Sequence, residues 1–397
     1  MKLKPVVIAA SIALASAASA QGTGPVKIGF ITDMSSLYAD IDGPAGAEMV
    51  KWAAEDFGGK VLGRPIEVLS ADHQNKADVA SSKAREWIDK DGLSMLVGGT
   101  NSGTSLAMAT VAQEKKIPFM SIGAGSARLT NEACTPYTVH YAYDTVALAK
   151  VAGNALVKGG SKNWFFLTAD YAFGHSLEAD ATTVVKANGG SVAGAVRHPL
   201  NASDFSSFLL QAQTSKAQVL ALANAGGDFT NAMKASREFG INKTMKIAGL
   251  LVFINDVHSL GLANTEGLQL ADSWYWNQDD ASRKFAQRFF DKYKRMPSSI
   301  QAADYSATTT YLKAVQAAGT TDADKVMATL KSTKVNDFYS KGQIRADGRM
   351  IHDMYLYQVK AASESTKPWD YYKLVATVPG EQAFTTVADS KCSLIKK

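Results

Sequence analysis

The sequence predicts an α/β protein built on buried parallel sheets. Three observations carry this. Short, β-branched apolar runs alternate with helix-length amphipathic stretches; the alternation runs to Ile122 and restarts at Trp164; and a chain of 397 residues with 46% hydrophobic and 20% charged side chains can fill two such cores.

In the first block, residues 27–32 read as a strand and 43–57 as a helix whose apolar face carries Ala45, Ala47, Met49, Val50, Ala53 and Ala54. Residues 66–71 are a strand and 77–89 a helix; 95–98 a strand and 102–115 a helix; 119–122 a strand. Strands separated by helices at this spacing pair in parallel and are covered on both faces. After a loop at 131–137 the pattern resumes with strands at 164–168, 191–197, 219–223 and 246–251, and helices at 175–188, 204–214 and 228–239. Residues 267–276 lead into helices at 280–293, 300–318 and 322–332, and the tail (343–344, 354–359, 371–378) reads as antiparallel strands. A chain that returns to its first block, with more than one crossover forming a hinge, accounts for this order. No fixed-period repeat is present.

The N-terminus carries Lys2 and Lys4, an apolar run at 6–14, and Ala18-Ser19-Ala20 before Gln21. This is the charged, apolar and small-residue order of a cleaved signal peptide covering residues 1–20. The apolar run is well short of the ~20 residues a membrane span needs. Gln21 in place of a cysteine argues against a lipid anchor, and Val26-Lys27-Ile28-Gly29-Phe30 is a better first strand than the leader. The mature chain is expected to be exported. Its two cysteines, Cys134 and Cys392, then suggest a disulfide tying the tail to the body; two isolated thiols are the alternative.

The formal net charge of +5 is small for this length, and no Lys/Arg run exceeds two residues, so nothing points to nucleic acid. The phosphate-loop, dinucleotide and nucleophile-elbow motifs are absent. The six histidines show no metal-ligand spacing, and neither cysteine lies in a C-x-x-C. No metal, no cofactor and no catalytic group is expected.

What stands out are small polar residues at strand-to-helix junctions. Gly98-Gly99-Thr100-Asn101-Ser102-Gly103-Thr104-Ser105 opens a helix, and Gly123-Ala124-Gly125-Ser126 follows the next strand. Ligands of open α/β sheets lie beyond the carboxyl ends of the strands, where backbone N–H groups and hydroxyls at a helix start receive an anion. Ordinary N-capping is the alternative reading. Aromatic residues form a second set: Tyr38, Tyr171, Phe173 and Trp274-Tyr275-Trp276 suit the walls of a cleft, or else a core.

With these residues the chain resembles the periplasmic binding proteins of branched-chain-amino-acid-type ABC importers. The likeness rests on Lys27-Ile28-Gly29-Phe30-Ile31-Thr32-Asp33-Met34-Ser35, on Ile117-Pro118-Phe119-Met120-Ser121-Ile122-Gly123-Ala124 and on Asp170-Tyr171-Ala172-Phe173-Gly174. It implies a type I fold of two Rossmann-like lobes joined by a three-crossover hinge. Residues 21–143 and 274–347 would form the N-terminal lobe, and 144–273 and 348–397 the C-terminal lobe.

In that family a Ser at the helix start and the next junction hold the ligand carboxylate, roles that fall on Ser102, Gly123 and Gly125. Many relatives carry Thr where Gly125 stands, and Ser126 would substitute for its hydroxyl. Tyr38, Tyr171 and Phe173 map to cleft aromatics. Amino-acid binders place a Glu near the run Leu250-Leu251-Val252-Phe253, where this chain has Leu251; Asp228 or Asp256 could replace it, but a ligand with no α-amine is the simpler reading. A buried ammonium without a carboxylate costs several kcal/mol. The ligand implied is therefore an aromatic or hydrophobic carboxylate without an α-amine. The chain also looks like an aromatic-acid-uptake subgroup carrying Tyr137-Thr138-Val139-His140-Tyr141 and Arg345-Ala346-Asp347-Gly348-Arg349, in which His140 would meet a ring hydroxyl. Asn101, Ala124, Asn224, Phe253 and Tyr275 complete the expected ligand-binding set.

The resemblance thus implies a non-catalytic, monomeric periplasmic protein that captures a small-molecule carboxylate by lobe closure and delivers it to an inner-membrane ABC permease. A branched-chain or other amino-acid binder is the alternative. An exported enzyme or a ligand module of a membrane sensor are readings from other classes.

Overall fold

The computed structural model describes residues 24–396, so the signal-peptide reading lies outside the described residues. The first block is a six-stranded sheet. Its strands are β1 (Val26–Thr32), β2 (Lys60–Val61), β3 (Arg64–Asp72), β4 (Leu93–Gly98), β5 (Phe119–Ser121) and β6 (Thr138–His140), in the order β2-β3-β1-β4-β5-β6. All pair in parallel except the hairpin β2–β3. Helices α1 (Gly43–Asp56), α2 (Ala77–Asp91) and α3 (Ser102–Lys115) cross over between strands. The central strands are buried on both faces, which is why they read as continuous apolar runs.

Residues 138–158 hold elements that the sequence pattern does not mark. Strand β6 is three residues long and polar at both ends. Helices α4 (Thr145–Leu148) and α5 (Asn154–Lys158) are joined by one π-helical turn at Ala149–Gly153. Most of this stretch is buried, so it has no polar face to set a helical period.

The second block is a parallel sheet of β7 (Asn163–Ala169), β8 (Ser191–His198), β9 (Val219–Ala223) and β10 (Lys246–Gly249), ordered β10-β9-β7-β8. Its helices are α6 (Ala172–Ala187), α7 (Ser206–Thr214), α8 (Gly226–Glu238), α9 (Ile254–Leu260) and α10 (Leu262–Thr265). Strand β11 (Gln269–Asp272) ends this passage, and the chain goes back to the first block. There α11 (Asp280–Tyr293) is ion-paired to α1 through Arg288–Asp56 and Lys292–Glu48, and α12 (Ser299–Ala318) lies along α1. Helix α12 opens with a capping box between Ser298 and Gln301. Helix α13 (Ala323–Ser332) packs on α12 and leads into a small antiparallel sheet of β12 (Lys334–Asn336), β13 (Lys341–Ile344) and β14 (Met350–His352).

The chain then crosses again. Strands β15 (Met354–Val359) and β16 (Tyr372–Val378) pair antiparallel beside β11, followed by α14 (Gly380–Ala383). The last segment rejoins the first block: Cys392 is disulfide-bonded to Cys134, and the Lys391 amide donates to Asn131 Oδ1.

Arg349 sits among the crossing segments and is buried at 1% exposure. Its guanidinium donates to the Tyr143 carbonyl at 2.9 Å, lies 3.8 Å from the Asp144 carboxylate and stacks over the Phe384 ring. Asp144 in turn caps α4 by accepting from the Ala147 N–H. No helix among the described residues is long and apolar enough to cross a membrane.

Candidate functional site: a closed cleft between the two blocks

The carboxyl ends of β1, β4, β7, β9 and β10 face one another across a narrow cleft. Its walls are Tyr38, Ile41, Thr100, Gly123 and Tyr143 on one side and Tyr171, Phe173, Ala225, Leu251 and Phe253 on the other. The space they enclose is about 10 Å³, roughly one water position. No lining side chain is a carboxylate or a cation. The N-termini of α3, α6 and α8 all begin at this cleft, at Asn101, Tyr171 and Ala225, so three positive dipole ends converge on it.

Several bonds hold the two faces together. The Tyr38 and Tyr171 hydroxyls are 2.7 Å apart, as are those of Ser126 and Ser176. The Gly227 N–H donates to the Leu37 carbonyl at 3.3 Å, and the Asn255 amide donates to Asp40. Burial pushes the Tyr38 phenol well above its usual range, with Tyr171 adding to the effect, so both hydroxyls are neutral.

Of the residues expected from sequence, Tyr38, Gly123, Tyr171, Phe173, Leu251 and Phe253 line the cleft. Others support it from behind. Asn101 caps α3, its Oδ1 accepting from the Gly103 and Thr104 N–H groups. Ser102 is fully buried and its Oγ accepts from the Ser126 N–H at 3.0 Å, which ties the two junctions together. Gly125 is the seat of the Phe173 ring: a Cβ there would lie 2.7 Å from a ring carbon.

Four expected residues lie outside the cleft walls. His140 is buried behind Ala124, with Nε2 at 2.5 Å from the Ala124 carbonyl, and its strand bridges Arg349. Burial and the nearby Arg349 hold its imidazole well below the usual range, so it is neutral. The Ala124 side chain is buried in the core of the α2–α3 face. Asn224 is hydrogen-bonded to His198. Tyr275 belongs to the aromatic group of the small sheet, donating to the Trp369 carbonyl and packing against Tyr357 and Tyr372.

Both carboxylates considered for an amine are occupied. Asp228 accepts from the Asn201 and Ala202 N–H groups, and burial pushes it up to about 6. Asp256 accepts from the Phe253 N–H at 2.8 Å and is pushed by burial up to about 8. Among the described residues no group of three or more His, Cys, Asp or Glu is placed to hold a metal.

The sequence reading missed Ile41, Thr100, Tyr143 and Ala225 as wall residues. Thr100 lies inside the junction that was singled out, and Ala225 adjoins Asn224 at a strand-to-helix turn, so both were findable from position alone. Tyr143 was not, because it lies on the crossover segment after β6; its hydroxyl donates to the Gly123 carbonyl at 2.7 Å.

A family model described as "Periplasmic binding protein" matches residues 25–365. A periplasmic binding protein from Burkholderia mallei is 70% identical, with a TM-score of 0.94, covering 94% of this chain and 100% of that one. The periplasmic ligand-binding protein of a branched chain amino acid ABC transporter from Burkholderia xenovorans is 41% identical, with a TM-score of 0.83 over 94% and 100% of the two chains. The fold is shared at 22% identity and a TM-score of 0.81 with a solute binding protein from Rhodopseudomonas palustris in complex with 3,4-dihydroxy benzoic acid, over 90% and 98% of the two chains. The match to the Leu/Ile/Val-binding protein homolog 6 of Brucella melitensis is 26% identical and spans 63% of each chain. This chain belongs to the periplasmic binding protein family.

Proposed function

We propose that the protein is the periplasmic solute-binding component of an ABC importer and that its ligand is an aromatic or hydrophobic carboxylate lacking an α-amine. The observation that carries the ligand class is the cleft itself. Three helix N-termini converge on a chamber walled by Tyr, Phe and Leu, while the two nearby carboxylates, Asp228 and Asp256, are spent on backbone N–H groups. Such a site favours an anion with an apolar body and gives an ammonium no partner. The same fold accommodates a hydroxylated benzoic acid in the R. palustris protein.

Capture would proceed by lobe closure. The ligand docks near Ser102 and Gly123–Ser126, and Tyr171, Phe173 and Phe253 close over it. The closed form is favoured by the ligand's differential affinity for it. The crossing segments around Tyr143, around Ser273 and over residues 347–353 serve as the hinge, dividing the lobes near 143/144, 273/274 and 347/348. The permease then recognises the closed form of a monomer, and no catalytic step is involved.

The 41% identical B. xenovorans protein favours a second reading, an amino-acid binder. Thermal-shift screening of the refolded, ligand-stripped protein against benzoates and against α-amino acids separates the two. A ligand at 100 times its Kd stabilises by about 2.7 kcal/mol, a visible shift. Shifts with benzoates alone support the proposal; shifts with leucine-like amino acids alone contradict it.

A further inference from the structure

Asp42 stands at the N-cap of α1, where an aspartate ordinarily accepts an N–H of its own helix, yet its side chain makes no capping bond. It is fully buried and turned inward. There its Oδ1 lies beside the carboxyl of Asp304 on α12, which is also fully buried. Gly46 makes room for the pair, since a Cβ at that position would lie 2.0 Å from Asp42 Oδ1 and 2.7 Å from Asp304 Oδ2. Among the described residues neither Asp304 oxygen has an N–H or O–H donor. Asp42 Oδ1 has none either, and two buried carboxyls side by side without a cation cannot both ionise, so the pair retains a proton.

The second oxygen of Asp42 leads to the ligand cleft. Asp42 Oδ2 is 2.5 Å from the Thr32 hydroxyl, Thr32 Oγ1 is 3.1 Å from Thr100 Oγ1, and Thr100 is a wall of the cleft. Each hydroxyl has one proton, so the chain has two polarities. With Asp42 ionised, Thr32 donates to it and Thr100 donates to Thr32, so the Thr100 proton points inward while its oxygen also accepts from the Asp33 N–H at 3.4 Å. With Oδ2 protonated, every bond reverses and Thr100 donates into the cleft.

We propose that Asp42 is a positioning residue of the ligand cleft, acting through Thr32 and Thr100, and that a ligand carboxylate selects the donor polarity and so binds together with a proton from solvent. The inference rests on the proposed reading of the cleft as a carboxylate site. Burial pushes Asp42 up to about 6, in the range where such coupling is measurable. The groups that face it are Asp304 from α12, Thr32 and Asp33 at the end of β1, and Tyr143 from the crossover segment; none is a cation. Asp33 adds like charge, in the same direction as burial.

The test is calorimetric titration of benzoate, and separately of leucine, into the refolded protein at pH 5.5, 6.5 and 7.5, in two buffers of different ionisation enthalpy. The expected result is fractional proton uptake on binding and an affinity that weakens about three- to tenfold from pH 5.5 to 7.5. Thr32→Val interrupts the hydroxyl chain while leaving both carboxyls in place, and Asp42→Asn removes the titrating group; each is expected to abolish the uptake and flatten the pH profile. Thr32→Val also covers the case in which Asp42→Asn does not fold. Binding without proton uptake, or uptake unchanged in Thr32→Val, overturns the inference while the cleft reading stands. Leucine binding with uptake overturns the ligand class but upholds the coupling. Binding of neither overturns both.

Discussion

Tyr38 and Tyr171 lie 133 residues apart in the chain and join their hydroxyls at 2.7 Å across the cleft. One follows the first strand of the first block and the other stands just before α6, the first helix after β7, so the bond exists only while the two blocks are together. Both phenols are held neutral by burial, and each hydroxyl can donate or accept.

Tyr38→Phe removes one partner and leaves the Tyr171 hydroxyl buried. A neutral hydrogen bond of this kind contributes about 1 kcal/mol, so ligand affinity is expected to fall about fivefold. The closed fraction, read from the distance between spin labels on the two blocks, should fall with it. An unchanged affinity would remove this bond from the closing contacts.

Ser102→Ala deletes the hydroxyl that receives the Ser126 N–H and stands at the start of α3. Affinity for a carboxylate is expected to weaken by about 1–3 kcal/mol, because the buried Ser126 N–H loses its acceptor and the two junctions behind the cleft come apart. Comparing the Kd of the variant with that of the wild type checks this.

Gly125→Ala places a Cβ against the Phe173 ring, with carbons at 2.7 and 2.9 Å. Overpacking of this size costs about 1–3 kcal/mol. Tm should drop, and adding Phe173→Leu should recover part of the loss. A Gly125→Ala variant as stable as the wild type would show that Phe173 yields freely.

The Cys134–Cys392 bond spans a sequence separation of 258 residues and anchors the tail to the loop before β6. Chain entropy puts its value at up to about 5 kcal/mol. Reduction under native buffer is expected to lower Tm by several degrees and to expose the Lys391–Asn131 contact to hydrogen exchange. No change in either would mean that the tail packs without the bond.

Stability should fall as pH rises from 6.5 to 8. Burial raises Asp256 to about 8 and Asp272 to about 7, against about 4 in the unfolded chain, so the folded state holds extra protons that are lost through this window. The buried His73 and His352, lowered by burial to about 4, act oppositely but only below about pH 6.5. Asp256→Asn can still accept the Phe253 N–H and should flatten the slope seen in denaturant melts at pH 6.5, 7.25 and 8.

The sequence made the two parallel sheets legible because their strands are short apolar runs between amphipathic helices, and helices 102–115 and 280–293 match the observed α3 and α11 to the residue. It left β6 and the α4–α5 stretch unmarked, since one is too short and the other too evenly buried to show a period. Within the cleft, a strand-to-helix junction pointed to Gly123, the aromatic set to Phe173 and the family resemblance to Leu251. Tyr143 depends on a crossover path set by Arg349, 206 residues away, which no local pattern encodes. His140 and Tyr275 have the right chemistry but face the hinge and the small sheet, an orientation fixed by tertiary packing alone.

The most direct measurement is calorimetric titration of 4-hydroxybenzoate and of leucine into refolded, ligand-stripped protein at pH 6.5. A cleft walled by Leu251, Phe253 and Phe173, with Asp228 and Asp256 tied to backbone N–H groups, predicts saturable 1:1 binding of the aromatic acid and none of the amino acid. Saturable leucine binding without any response to 4-hydroxybenzoate would contradict it.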